Sequence, residues 1–318
     1  MKQGCILSPL LFNIFLADLP EHITGRDCDP VEIEDSSPLS CLIWADDILL
    51  LSKSEKGLGK MLENLNIYTV KNGMKINAEK TKIMIFNKMG KFMKRSFTCG
   101  ENKLFSTNSY KYLGFMVTPS GEISSGLSNL RDRALKAYFK LKKLLGNHFR
   151  TFPQISLHRF DTLIKPILLF NSDFWGCLKT PHNNPIENTH MMFCKNLLGV
   201  QRQTTNAGVL LELGRLPIMT FAKKNFLLNW SRIFHEKQAN SLVLSSFVHS
   251  KIYSLKSSES VKSSFDSLGI GLENSLTSIL VMRKMSEKFH QETFNEINSD
   301  KSKLRTYAKL KETQGFEE

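Results

Sequence analysis

Cys41-Leu42-Ile43-Trp44-Ala45-Asp46-Asp47-Ile48-Leu49-Leu50-Leu51 is the stretch that decides the fold. Two short apolar runs flank a pair of neighbouring carboxylates, a pattern that predicts a β-hairpin with acid at its tip. Adjacent carboxylates repel each other by on the order of 1 kcal/mol or more, depending on the local dielectric, so a compensating positive charge is expected nearby. Hard divalent cations take oxygen ligands, and Mg2+ typically uses one or two carboxylates together with substrate phosphates. Most Asp-Asp pairs are solvated turn residues. Apolar strands on both sides set this one apart, because the fold then holds acid where strand propensity would not place it.

Upstream of the hairpin, Ser8-Pro9 followed by Leu10, Leu11, Ile14, Phe15 and Leu19 predicts a helix from Pro9 to about Leu19, with Ser8 as its cap. Residues 20–38, rich in acid, Pro and Ser, read as an exposed loop. Downstream, Ser52 and Glu55 have capping-box spacing, and Leu58, Met61, Leu62 and Leu65 form a helical face that ends near Gly73. Lys82 to Phe86 and Tyr110 to Val117 read as strands joined by a basic connection. Beyond Gly121 the pattern turns helical. Leu127, Leu130, Ala134, Tyr138, Leu141 and Leu145 make one stripe that stops at Gly146, while Lys136, Lys140 and Lys143 occupy another face. Further helices are expected around 157–170, 186–198 and 218–234. The stretch after Ser254 is polar, Ser-rich and Lys-rich, and its pattern specifies no structure.

The expected fold class is therefore α+β up to about Val117 and all-helical beyond it. With 318 residues, 41% of them hydrophobic and 23% charged, neither disorder nor a polytopic membrane protein is suggested. The formal net charge of +13 is clustered. Residues 71–103 carry nine basic side chains against Glu79 and Glu101, and residues 131–159 carry eight against Asp132. Such clusters attract polyanions, because each neutralised phosphate releases condensed counterions, although a solvated basic face is the plainer explanation of charge taken alone. Six cysteines without a CxxC pair fit a reducing compartment. Cys177, His182, His190 and Cys194 match no standard zinc spacing. Met1 to Leu19 is interrupted by Asn13 and Asp18 and lacks a cleavage site, and no run is long enough to span a membrane.

Lys2-Gln3-Gly4-Cys5-Ile6-Leu7-Ser8-Pro9-Leu10-Leu11-Phe12-Asn13 resembles the QG...SPLLFN motif of non-LTR retrotransposon reverse transcriptases, and Trp44-Ala45-Asp46-Asp47 resembles their [FYW]ADD box. Gly73-Met74-Lys75-Ile76-Asn77, Lys80-Thr81 and Tyr112-Leu113-Gly114 follow in the family's order. The resemblance continues more loosely through Lys165 to Phe170 and Trp175-Gly176, which look like the region after the palm in jockey and CR1 elements. It implies a partial polymerase palm over residues 1–118, a thumb-like helical region over 119–200 and a helical C-terminal region over 201–318. By the same resemblance Asp46 and Asp47 are the catalytic, metal-binding carboxylates. Gln3, Gly4, Ser8, Pro9 and Lys80 serve the nucleotide and template, and Tyr112, Leu113 and Gly114 grip the primer end. Trp44 stands where Tyr or Phe is more usual.

The implied reaction is RNA-directed DNA synthesis with two Mg2+ ions in the complete enzyme, on an RNA template, a DNA primer and deoxynucleoside triphosphates. Retroelement RNA is the implied partner, no membrane is involved, and the expected location is intracellular, in nucleus or cytoplasm. In the family a strand with a further catalytic Asp and the fingers precede the Gln-Gly motif. Met1 is then expected to be an internal methionine of a longer frame and this chain a C-terminal fragment, inactive by itself. A basic nucleic-acid-binding remnant of a retroelement is the alternative.

Overall fold

The computed structural model describes residues 7–25, 27–33, 38–178, 183–235, 263–269 and 276–298. The described residues form two compact units. The first runs to Tyr112 and takes in Val117–Glu122; the second comprises Leu113–Met116 and the described residues from Ile123 onward. Helices and short hairpins make the described residues α+β, with three separate two-stranded sheets among them.

In the first unit, helices α1 (Ser8–Phe15) and α2 (Leu19–Ile23) precede the hairpin of β1 (Cys41–Trp44) and β2 (Asp47–Leu50), and helix α3 (Glu55–Lys71) follows it directly. Helix α3 organises the unit. Met61, Leu65 and Tyr68 pack with Leu16, Leu19, Ile23 and Cys28, while Leu62 packs with Ile83, Cys99 and Leu104. Leu19 and Ile23 are fully buried, each worth roughly 1.5–3 kcal/mol of apolar transfer. Gly57 is needed where α3 meets the loop before β1, since a Cβ there would lie 2.6 Å from the Cys28 carbonyl oxygen. Polar contacts complete the packing: the Tyr68 hydroxyl donates to Asp18 Oδ1 at 2.6 Å and to the Phe15 carbonyl at 3.2 Å. Burial, reinforced by Asp18, pushes the Tyr68 phenol up to about 12.

Several local expectations are corrected here. The first helix ends at Phe15 and is capped by Leu7, without a side-chain cap hydrogen bond, so Ser8 is its first residue rather than its cap. Pro20 lies in the first turn of α2, which starts at Leu19, instead of opening a loop. Ser54 caps α3, accepting from the Gly57 amide at 3.0 Å. Ser52 instead donates to the Cys28 carbonyl at 3.0 Å. Lys82 to Phe86 forms only an isolated bridge at Ile83. The expected single strand from Tyr110 to Val117 is a hairpin, β5 (Tyr110–Tyr112) and β6 (Phe115–Val117), and the basic connection before it contains another, β3 (Ser96–Cys99) with β4 (Asn102–Phe105).

The second unit is helical: α4 (Ser124–Leu145), α5 (His148–Thr151), α6 (Pro153–Leu163), α7 (Lys165–Leu168), α8 (Ser172–Trp175), α9 (Pro185–Leu198), α10 (Asn206–Glu212), α11 (Ile218–His235) and α12 (Ser278–Asn298). The apolar stripe of α4 is buried from Leu127 to Leu141 as its spacing predicts, Leu145 is partly buried, and Gly146 caps the helix with φ +51°. Its core is aromatic: Tyr138, Phe149, Phe160 and Phe193 pack together, the last two stacked at 4.1 Å. Trp175 is fully buried, its indole donating to the Phe170 carbonyl at 2.8 Å. A Cβ at Gly176 would lie 2.1 Å from the Ala222 carbonyl oxygen, so Trp175-Gly176 is a packing motif between α8 and α11. Among the described residues no helix is long and apolar enough to cross a membrane.

Candidate active site

The β1–β2 register pairs Trp44 with Asp47 and Ile43 with Ile48, which leaves Ala45 and Asp46 as a two-residue turn. Ala45 has φ +52°, a left-handed conformation that costs an L residue roughly 1–2 kcal/mol. Alternation then separates the two faces of the ribbon. Ile43, Ile48 and Leu50 pack on the core beside α3. Leu42, Trp44, Asp47 and Leu49 share the opposite face, where Leu42 is 38% and Trp44 68% exposed. A lone two-stranded ribbon is marginal in water, so the inner face holds the tip in place. Of the two apolar strands expected on either side of the acid pair, only one face is covered.

Asp46, in the turn, and Asp47, the first residue of β2, are both exposed. Among the described residues neither is matched by a cation, and no group of three or more His, Cys, Asp or Glu side chains could hold a metal ion. Two exposed carboxylates at one tight turn are nonetheless the hard-oxygen donors that Mg2+ accepts when substrate phosphates and water complete its shell. The donor chemistry fits such a shared ion and does not fit an all-protein cage.

Tyr112 belongs to this neighbourhood. Its half-buried phenol is raised by burial and further by the Asp47 carboxylate. Distance in sequence hid that relation, which no local pattern could have revealed. Leu113 and Gly114 form the β5–β6 turn with φ +43° and +86°. In the second unit, a Cβ on Gly114 would lie 2.9 Å from Phe170 Cζ. Lys80 is exposed in a turn shaped by Asn77, whose Oδ1 accepts from the Lys80 amide at 3.1 Å, and the Tyr110 hydroxyl donates to the Lys80 carbonyl at 3.3 Å. Ser8 and Pro9 lie in the first turn of α1. Gln3 and Gly4 lie outside the described residues, as does His182 of the cysteine and histidine group. Of the other members, burial raises the Cys177 thiol to about 11 and that of Cys194 to about 12.

Residues 1–117 match the family model described as reverse transcriptase (RNA-dependent DNA polymerase). The chain is 23% identical over 193 residues to the RNA-directed DNA polymerase from mobile element jockey of Drosophila melanogaster, covering 58% of this chain and 20% of that protein. It is 26% identical over 222 residues to the retrovirus-related Pol polyprotein from type-1 retrotransposable element R2 of Nasonia vitripennis, covering 63% of this chain and 21% of the polyprotein. The R2 polyprotein of Popillia japonica is 31% identical over 137 residues, which is 41% of this chain and 22% of that one. The chain thus spans about a fifth of the length of these relatives. No solved structure matches it. Residues 1–117 thus resemble reverse transcriptases, and over part of its length the chain is similar to the RNA-directed DNA polymerases of non-LTR elements such as jockey and R2.

Proposed function

We propose that residues 1–118 are a partial polymerase palm whose Asp46 and Asp47 supply one part of the catalytic carboxylate set of a reverse transcriptase, followed by a thumb-like helical region. In the complete enzyme the primer 3'-oxygen attacks the α-phosphorus of a deoxynucleoside triphosphate on an RNA template, and pyrophosphate leaves. Bound magnesium supplies charge stabilisation at the attacking and leaving oxygens. The two carboxylates hold it where the tight turn presents them, Lys80 is the candidate cation for the triphosphate, and Tyr112-Leu113-Gly114 positions the primer end. The observation that carries this reading is the paired carboxylates at the strained Ala45 turn, with Tyr112 in the electrostatic range of Asp47.

The same reading makes the isolated chain inactive. No third carboxylate joins Asp46 and Asp47 among the described residues. Leu10, Leu11 and Ile14 of α1 are 55–63% exposed, an apolar surface suited to further polypeptide. Primer extension on a homopolymer RNA template with Mg2+ tests both statements. The purified chain is expected to incorporate nothing, and addition of the upstream half of a related polymerase is expected to restore synthesis that Asp46→Asn abolishes. Robust incorporation by the chain alone would refute the fragment reading, and restored synthesis indifferent to Asp46→Asn would refute the site.

One observation favours the alternative, a basic nucleic-acid-binding remnant. Lys136, Lys140 and Lys143 are exposed along one face of α4 with Phe139, which is 57% exposed. Salt-dependent binding to an RNA-DNA hybrid that survives Asp46→Ala and Asp47→Ala, with no synthesis on adding the upstream half, would select it.

A further inference from the structure

Residues 86–95, Phe-Asn-Lys-Met-Gly-Lys-Phe-Met-Lys-Arg, lead from the Ile83 bridge to β3 and contain four cations and no acid. Two series interleave at a spacing of three. Phe86, Met89 and Phe92 are 60%, 73% and 47% exposed. Lys88, Lys91 and Lys94 are exposed and unpaired with any described carboxylate, whereas Arg95 pairs with Glu55 at 3.0 Å.

The loop is built rather than slack. Asn87 Oδ1 accepts from the Met89 amide at 3.1 Å and the Lys91 amide at 3.2 Å, and its Nδ2 donates to the Lys91 carbonyl at 2.6 Å. Gly90 turns the chain at φ +63°, where a Cβ would lie 2.9 Å from that of Ser120. At the far end the Ser106 hydroxyl accepts from the Arg95 amide and donates to the Met93 carbonyl, both at 2.8 Å. These bonds lower the ordering entropy that binding would otherwise cost.

A fixed loop that holds apolar side chains outward between lysines matches a ligand with open π-faces and a phosphate at each step. We propose that residues 86–95 bind a single-stranded polynucleotide, its bases stacking on Phe86 and Phe92 and its phosphates meeting Lys88, Lys91 and Lys94. A duplex closes its base faces by stacking and offers only phosphates. An anionic bilayer would take a contiguous apolar face, whereas here Lys88 and Lys91 separate Phe86, Met89 and Phe92 from one another. The site lies beyond the carboxylate chemistry and does not depend on it.

Anisotropy of a labelled, unstructured RNA strand, a labelled RNA duplex and binding to phosphatidylserine vesicles test the proposal on the full chain. Lys136, Lys140 and Lys143 are first changed to Gln, so that α4 does not mask the loop. In that background Phe86→Ser with Phe92→Ser is expected to weaken single-strand binding about tenfold or more while duplex binding stays within about twofold. Asn87→Ala, which keeps every ring and lysine, is expected to weaken it as well. Thermal unfolding checks each variant, and Phe86→Leu with Phe92→Leu replaces the serine pair if that pair melts early. Unchanged single-strand affinity, equal loss on strand and duplex, or parent binding to vesicles but not RNA would each overturn the proposal. Because the readout is binding, a chain that never synthesises DNA still tests it, and Asp46→Asn is expected to leave the affinities unchanged.

Discussion

Leu113 and Gly114 show the φ signs of a type I′ hairpin turn, for which Asn-Gly is the favoured pair. Leucine in the left-handed region carries roughly 1–2 kcal/mol of strain that asparagine largely avoids. Leu113 is 40% exposed and belongs to no buried cluster among the described residues, so packing alone does not call for a leucine there. Leu113→Asn is expected to stabilise the chain by about 1 kcal/mol in urea unfolding and, with the upstream half present, to lower primer extension. Extension unaffected by the change would leave the turn with no role at the primer. Gly114→Ala is expected to act oppositely on stability. The added Cβ meets Phe170 Cζ at 2.9 Å, at a φ that disfavours any side chain, so a loss of about 2 kcal/mol is expected in the same measurement. Ala45 repeats the theme at the carboxylate turn, with φ +52°.

Elements far apart in sequence meet in a polar cluster inside the helical unit. Arg215 donates to both carboxylate oxygens of Asp161, at 2.6 and 3.1 Å, and its Nε donates to His190 Nε2 at 3.3 Å. His190 therefore carries its proton on Nδ1, which faces Glu187 at 3.7 Å, and the ring is 1% exposed. Burial depresses its pKa from 6.5, with Arg215 acting in the same direction and Glu187 and Asp161 opposing. A depressed histidine stays neutral when folded while the unfolded chain takes up the proton, so its contribution is fully present above pH 6.5 and declines as pH falls below that value. Urea midpoints at pH 7.5 and 5.5 are expected to differ less in His190→Gln than in the parent; an equal difference in both would remove His190 as the cause. None of this cluster was legible, because Asp161, His190 and Arg215 lie in three separate segments whose local patterns say nothing of one another. The β1–β2 hairpin was legible because two continuous apolar runs flank the acid pair, and α4 because its apolar residues repeat at 3.6 over about six turns' worth of sequence. The hairpin of β3 and β4 was not. Its strands are four residues each, too short for alternation to stand out among lysines. Of the candidate site, the carboxylate pair could be read locally, whereas the relation of Tyr112 to Asp47 exists only after folding.

Charge and exposed apolar surface are properties of the whole chain, and they predict opposite behaviour in solution. The outer side of α1, where Leu10 and Ile14 are each more than half exposed, is a surface on which copies of the chain can associate. Ile14→Lys with Leu10→Gln is expected to shift the chain toward monomer in sedimentation, and no shift would mean the face is not what associates. The net charge of +13 works against self-association and draws polyanions instead. Each unit carries its own exposed lysine triplet: Lys88, Lys91 and Lys94 in the first, Lys136, Lys140 and Lys143 in the second. For single strands the slope of log affinity against log salt changes by about 0.7 for each phosphate neutralised. Replacing either triplet by Gln is expected to make the slope about 2 units shallower, and replacing both should add the two effects, because the triplets lie on separate units and share no partner. Asp46→Asn with Asp47→Asn removes negative charge and no phosphate contact, so the slope is expected to hold. A slope unmoved by six substitutions would make both triplets solvated faces and assign polyanion binding to other cations of the chain.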